Sequence, residues 1–145
     1  MRYYLDTNVL IFILTRDYEC ISRDVEYIID DYANRFYVSS AVVRELIHTY
    51  KTGDIEHKYL KTAKSLFDAM ENLGIEIVPM NKDHLLKYAE LDTAAGHRDP
   101  NDHIIISQAI SDKIPIISSD RKFKEYVGQG LKFVYNRRYP PSLIP

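Results

Sequence analysis

A short apolar run that stops on a carboxylate, Tyr3-Tyr4-Leu5-Asp6-Thr7-Asn8, is followed at once by a second apolar run, Val9-Leu10-Ile11-Phe12-Ile13-Leu14. This pairing limits the folds open to the chain more than any other feature. The first run has the length of a buried strand. A charged side chain between two buried segments is costly unless something compensates it. Two compensations are open from this stretch alone. Asp6 can end a central parallel strand, at the carboxyl edge where open α/β sheets gather their ligands. It can instead cap the helix that follows, with Thr7 and Asn8 beside it.

The rest of the chain favours the first architecture. A helix is expected from Val9 to about Thr15. Ile21, Val25, Ile28, Ile29 and Tyr32 then recur at helical spacing behind Ser22 as a cap. Phe36-Tyr37-Val38 reads as a second strand. Ser39-Ser40 starts a helix with the stripe Val42, Val43, Leu46, Ile47 and Tyr50, which Gly53 ends. Leu60, Ala63, Leu66, Phe67, Met70 and Leu73 make the next amphipathic helix, stopped by Gly74. Ile75-Glu76-Ile77-Val78 is a third strand, and Asn81 caps a helix carrying Leu85, Leu86, Tyr88, Ala89 and Leu91. Asp99-Pro100 opens a further helix with Ile105, Ile106, Ala109 and Ile110 on its buried side, because proline after an aspartate cap suits the first helical position. Ile114 to Ser118 is apolar on both faces, as a central parallel strand requires. Phe123 to Val127 reads as a short helix and Leu131 to Tyr135 as a fifth strand. Strands alternating with helices give a parallel sheet covered on both faces, with right-handed crossovers.

At 145 residues the chain fits one domain, expected over 1–136, with an irregular tail over 137–145. Cys20 is the one cysteine, which excludes an internal disulfide, argues against a cysteine-based zinc site and points to a reducing, cytoplasmic compartment. The apolar run from Val9 to Leu14 is too short for a signal sequence, and nothing approaches the ~20 apolar residues of a membrane span. The formal net charge is -2, so nucleic-acid binding would need a local basic patch.

Carboxylates stand where pattern does not ask for them. Asp6 follows the first strand, Asp120 follows the fourth, Glu45 lies near the start of the helix after the second, and Asp102 heads the helix after Asp99-Pro100. In a parallel sheet Asp6 and Asp120 emerge on one edge, and the helix starts carrying Glu45 and Asp102 can reach it. Asp102 shares the inward face of Ile105, Ile106 and Ala109, yet an acid at the third helical position also completes a capping box. Asp99 is open between helix cap and ligand. Two carboxylates ~4 Å apart repel by about 4 kcal/mol at an effective dielectric near 20. They must raise one another's pKa or bind a cation. Hard oxygen donors without an evident cysteine or histidine set suit Mg²⁺ or Mn²⁺, one ion or two, and such centres do phosphoryl chemistry.

These segments resemble a known family. Leu5-Asp6-Thr7-Asn8-Val9, Ser39 to Leu46, His97-Arg98-Asp99-Pro100-Asn101-Asp102-His103 through Ala109, and Ile116-Ile117-Ser118-Ser119-Asp120 are similar, in order and spacing, to PIN-domain ribonucleases, especially the VapC-type toxins of toxin–antitoxin pairs. The resemblance spans roughly Tyr3 to Val134. It implies a three-layer α/β/α sandwich around a five-stranded parallel sheet. It also implies Mg²⁺- or Mn²⁺-dependent cleavage of RNA, a homodimer, and an antitoxin whose tail lies across the active site. Asp6, Glu45, Asp102 and Asp120 would be the catalytic, metal-binding acids, with Asp99 in or near the shell. Thr7 would orient the first acid or a water, with Asn8 beside it. Many relatives carry an aromatic residue where this chain has Asn101 and an arginine where it has His103, which leaves substrate choice open.

Arg44, Arg98, Arg121, Lys122 and Lys124 adjoin the acids in sequence and can form a basic rim for RNA; Arg137 and Arg138 are a weaker pair. His48, His57, His84, His97 and His103 have no zinc-like spacing and read mainly as surface or helix residues. His97 and His103 flank the acids and are candidates for contact with phosphate. Three other functions compete. A non-toxin PIN nuclease would serve RNA processing. A haloacid-dehalogenase-type phosphatase needs a second aspartate two residues after the first, where this chain has Asn8. A non-catalytic module would use the acids only to hold a structural cation or cap helices.

Overall fold

The computed structural model describes residues 1–55, 57 and 59–137; residues 138–145 of the expected tail, including Arg138, lie outside them. In chain order the elements are β1 (Arg2–Leu5), α1 (Thr7–Leu14), α2 (Arg23–Asp30), β2 (Arg35–Ser39), α3 (Ser40–Lys51), α4 (Ala63–Asn72), β3 (Ile75–Val78), α5 (Lys82–Glu90), α6 (Pro100–Asp112), β4 (Ile116–Ser118) and β5 (Phe133–Tyr135). A 3₁₀ turn at Tyr18–Cys20 precedes α2, and a longer 3₁₀ segment, Arg121–Gln129, joins β4 to β5.

The five strands form one parallel sheet in the order β3-β2-β1-β4-β5. The chain steps outward from β1 through β2 to β3, then returns to the other side of β1 for β4 and β5. The reversal opens a crevice beyond the carboxyl ends of β1 and β4, the usual place for a ligand in such a sheet. Helices cover both faces, as expected for a three-layer α/β/α sandwich. Leu5, Leu10, Leu46, Leu66, Ile105, Ile106, Ile116, Ile117 and Phe123 fill the layers on either side of the sheet and are fully buried. Burying such a side chain contributes about 1.5–3 kcal/mol each, so the segments bearing the acids are anchored within the core.

Several boundaries differ from the sequence reading for local reasons. α1 begins at Thr7 rather than Val9, because the Asp6 carboxylate accepts the Thr7 backbone N–H at 2.8 Å and starts the helix. α4 begins at Ala63 behind a reciprocal cap between Thr62 and Ser65; Leu60 is buried ahead of it, while Phe67 and Leu73 stay exposed. Ser22 precedes α2, but its hydroxyl donates to Asn136 Oδ1 (3.2 Å) rather than capping the helix.

The largest difference is the rotation of α5. Leu85 and Leu86 are exposed, and the buried side chain is His84. His84 Nδ1 accepts the Asn81 N–H (3.1 Å), and Nε2 lies 2.8 Å from Asp112 Oδ1 on α6. A polar ring with both nitrogens bonded can be buried. The inward face therefore runs through His84, Lys87, Tyr88 and Leu91.

Candidate active site

Asp6 does both things that the sequence left as alternatives. It ends β1 and caps α1, and its second oxygen accepts the Ser118 hydroxyl at 2.7 Å from the end of β4. Ser118 Oγ in turn accepts the Asp120 backbone N–H (3.0 Å), so one hydroxyl ties the two strand ends together. Asp120 is half-buried and caps the 3₁₀ segment through the Lys122 N–H at 2.9 Å. Sequence reasoning missed Ser118. Its position opposite Asp6 follows from the β1–β4 register, Leu5 beside Ile117, which only pairing reveals.

Glu45 projects from the first half of α3, whose start is capped by Ser39. Oε2 of Glu45 accepts the Thr7 hydroxyl (2.5 Å), and Oε1 accepts the Asn101 side-chain amide. Asn101 Oδ1 receives Arg44 Nη2 at 3.0 Å, so Arg44, Asn101, Glu45 and Thr7 form a chain from the exposed rim to the buried floor. Asn8 is exposed.

Asp99 caps α6 through the Asn101 N–H (3.0 Å), and Pro100 follows as the first helical residue. Asp102 is half-buried one turn on. Oxygens of Glu45, Asp99 and Asp102 lie within 4.8 Å of one another, and a second group unites Asp102 and Asp120 with His97. His97 is buried, with Nε2 3.1 Å from Asp102 Oδ2 and Nδ1 2.8 Å from the Tyr126 hydroxyl. His84 and His103 are helix residues, as expected, with their rings buried, whereas His97 lies on neither a helix nor the surface. His97 meets a carboxylate, in a pocket closed by Phe123, Tyr126 and His103.

The electrostatics follow from this crowding. Burial, with the nearby charges of Asp102 and Glu45, pushes Asp6 up to about 7 even though Ser118 and the Thr7 N–H stabilise its charged form. Burial and the charges of Asp99, Asp120 and Glu45 push Asp102 up to about 7 as well, against a smaller opposing pull from Lys122. Burial lowers His97 and His103, which favours their neutral rings. A pocket that keeps acids half-protonated near neutrality has room, electrostatically, for positive charge.

The expected basic rim is partly engaged. Arg98 is exposed. Arg121 Nε donates to the Tyr135 hydroxyl (3.1 Å) and its guanidinium lies 5.8 Å from that ring's centre. Lys122 Nζ reaches the Gly96 carbonyl at 3.4 Å. A separate cavity of about 650 Å³ near the amino ends of β2 and β3, lined in part by Tyr18, Asp31, Arg35, Gly74 and Glu76, contains none of the residues of the carboxyl-edge cluster.

Residues 3–129 match the PIN domain family model. The chain belongs to the PIN-domain family. PIN domains are generally nucleases. The fold of this PIN domain is similar to that of VapBC2 from Rickettsia felis, solved bound to a DNA fragment from their promoter, with 22% identity and a TM-score of 0.70 over 94% of this chain and 99% of that one. VapBC-1 from nontypeable Haemophilus influenzae matches at 20% identity and a TM-score of 0.68, over 93% and 98%. VapBC-5 from Mycobacterium tuberculosis, a member of the VapBC family of toxin–antitoxin systems, matches at 18% and 0.61, over 92% and 98%. At these identities the likeness is one of fold. No curated protein sequence matches the chain. Among the described residues, no helix of this PIN domain is long and apolar enough to cross a membrane.

Proposed function

We propose that this PIN domain, residues 1–136, is a metal-dependent endoribonuclease and the toxin of a toxin–antitoxin pair. The observation that carries the reading is the convergence of Asp6, Glu45, Asp99, Asp102 and Asp120 at the crevice between β1 and β4, with burial first and neighbouring carboxylates second raising both Asp6 and Asp102 to about 7. The donor set fits a divalent cation: Glu45, Asp99 and Asp102 offer oxygens within 4.8 Å of each other, the spacing of ligands sharing one ion. Mg²⁺ or Mn²⁺ bound there would supply activation of water and stabilisation of charge on the phosphodiester oxygens.

The chain's own residues do the rest. Thr7 and Asn101 each donate to a different oxygen of Glu45, which fixes its carboxylate plane. Ser118 holds one oxygen of Asp6 and the Thr7 N–H holds the other. Arg44, Arg98, Arg121 and Lys122 edge the crevice and supply cations for the RNA backbone, whose affinity depends on such phosphate contacts. The toxin assignment draws on the VapBC likenesses, whose solved forms are toxin–antitoxin complexes, and adds an antitoxin as partner. In the homodimer expected of this family, exposed Leu85 and Leu86 on α5 offer apolar surface.

The test is cleavage of RNA by purified protein with Mg²⁺ or Mn²⁺, lost on chelation and in Asp102→Asn. Cleavage retained by Asp102→Asn, or absent from the unsubstituted protein with every divalent ion, overturns the nuclease reading. Growth arrest on induction, relieved by co-expression of a small adjoining gene, tests the toxin assignment; cleavage without arrest moves the chain to RNA processing.

A further inference from the structure

The cluster contains two unlike groups of donors. Glu45, Asp99 and Asp102 offer oxygen alone, whereas Asp102 and Asp120 are joined by a ring nitrogen of His97; within each group the donor atoms lie within 4.8 Å of one another. We propose that His97 is a nitrogen ligand to a divalent metal held with Asp102 and Asp120, and that this position prefers first-row transition ions over Mg²⁺. The proposal rests on the metal-dependent reading above and deepens it.

Three observations support it. First, the spacing suits a shared ion. Two ligands each about 2.1 Å from a metal and at right angles lie about 3.0 Å apart, and His97 Nε2 lies 3.1 Å from Asp102 Oδ2. One ring N–H can serve one carboxylate, whereas a cation at the centre of the group serves all three donors.

Second, the imidazole is oriented before any metal arrives. Its Nδ1 is 2.8 Å from the Tyr126 hydroxyl, and that oxygen is itself fixed by the Ala94 N–H at 3.0 Å. Metal-ligating histidines characteristically donate their other ring N–H to such a partner. With the proton on Nδ1 and donated to Tyr126, the Nε2 lone pair faces Asp102 and Asp120. Third, the pocket has polar capacity that the chain does not satisfy by itself. His103 packs edge-on against His97 at 4.7 Å between ring centres, and among the described residues its Nε2 is the buried side-chain polar atom left without a partner.

The chemistry sets the preference. Imidazole is a poor ligand for Mg²⁺, which favours oxygen and retains water, but a good one for the later first-row ions. Glu45, Asp99 and Asp102 remain a position for Mg²⁺, and Asp102, common to both groups, can face two ions at once.

The experiment uses the full chain freed of metal by chelation. It is saturated with Mn²⁺ and examined by electron spin echo envelope modulation, where imidazole nitrogen modulation is expected. Calorimetric titration of His97→Gln should show Co²⁺ affinity lowered at least about tenfold and Mg²⁺ affinity changed by less than about threefold. Saturation with Mn²⁺ and no nitrogen modulation overturns the proposal while leaving the nuclease reading intact. Equal losses of Co²⁺ and Mg²⁺ in a folded His97→Gln also overturn it. If the unsubstituted protein binds no divalent ion, both readings fall. The spectroscopic arm needs no variant, so misfolding of His97→Gln cannot obscure the result.

Discussion

Replacing Asp6 by asparagine should make the metal-free protein more stable, although it removes a charge on which function depends. The Asp6 carboxyl is raised from an ordinary 3.8 to about 7. The folded state therefore holds this proton more tightly than the unfolded chain does. The contribution of Asp6 to stability is fully present below about pH 4, is lost as pH rises toward 7, and is absent above that, where the folded state must carry the buried charge. A displacement of this size corresponds to roughly 4 kcal/mol at pH 8. Asparagine is neutral throughout and keeps the geometry. Its carbonyl can accept the Thr7 N–H, and its amide can donate to Ser118 Oγ in place of the bond now donated by that hydroxyl. For a domain of this length about 1 kcal/mol shifts Tm by ~3 °C. Asp6→Asn should then melt roughly 5–12 °C above the unsubstituted protein at pH 8 in chelator, allowing for relaxation around the ionised acid. The gap should narrow at pH 5, where Asp6 of the unsubstituted protein is protonated. Added Mn²⁺ should also narrow the gap, because a cation held by Glu45, Asp99 and Asp102 offsets the negative charge beside Asp6 and so lowers the cost of its ionised form. Thermal melts across pH 4.5–8.5, with and without metal, read all three effects. A metal-free Asp6→Asn that melts at or below the unsubstituted protein at pH 8 would refute the argument that the acids are mutually destabilising.

Three further outcomes test other parts of the site and its frame. Ser118→Ala removes the hydroxyl that favours ionised Asp6, so the acidic limb of the pH profile for RNA cleavage should move to higher pH; an unmoved limb would separate Asp6 from the rate. Asn101→Ala leaves Glu45 and Arg44 each short of a partner and should lower both cleavage and Tm, with a stability loss of about 1.5–3 kcal/mol, measurable by denaturant titration. Lys113 ends α6 with φ at +57°, where a side chain is strained, so Lys113→Gly should stabilise the protein by up to about 1 kcal/mol without changing cleavage.

Local rules carry far in this chain where burial and capping agree. Strands ending on Asp6 and Ser118, the Ser39 cap, the Asp99-Pro100 start and the Gly74 stop all stand where the residues put them. They fail where a polar group is buried with its partners. α5 turned inward on His84 rather than on Leu85 and Leu86, because Asn81 and Asp112 satisfy both ring nitrogens; Asp112 lies on a helix distant in sequence. His97 flanks the acids in the sequence, but its burial against Asp102 and Tyr126 was not legible there, since those partners carry no periodic relation to it.

The amino-acid sequence determined the alternation of strands and helices, the parallel sheet, and the presence of acids at the ends of buried segments, because each depends on neighbours within a few residues. Only the tertiary structure decided which side chains complete the cluster. Ser118 reaches Asp6, Asn101 reaches Glu45, and His97 reaches Asp102 through the strand register and the packing of α6 and the 3₁₀ segment around the crevice. Charge–charge energies depend on separations through space, and no spacing along the chain encodes them until the core has fixed those separations.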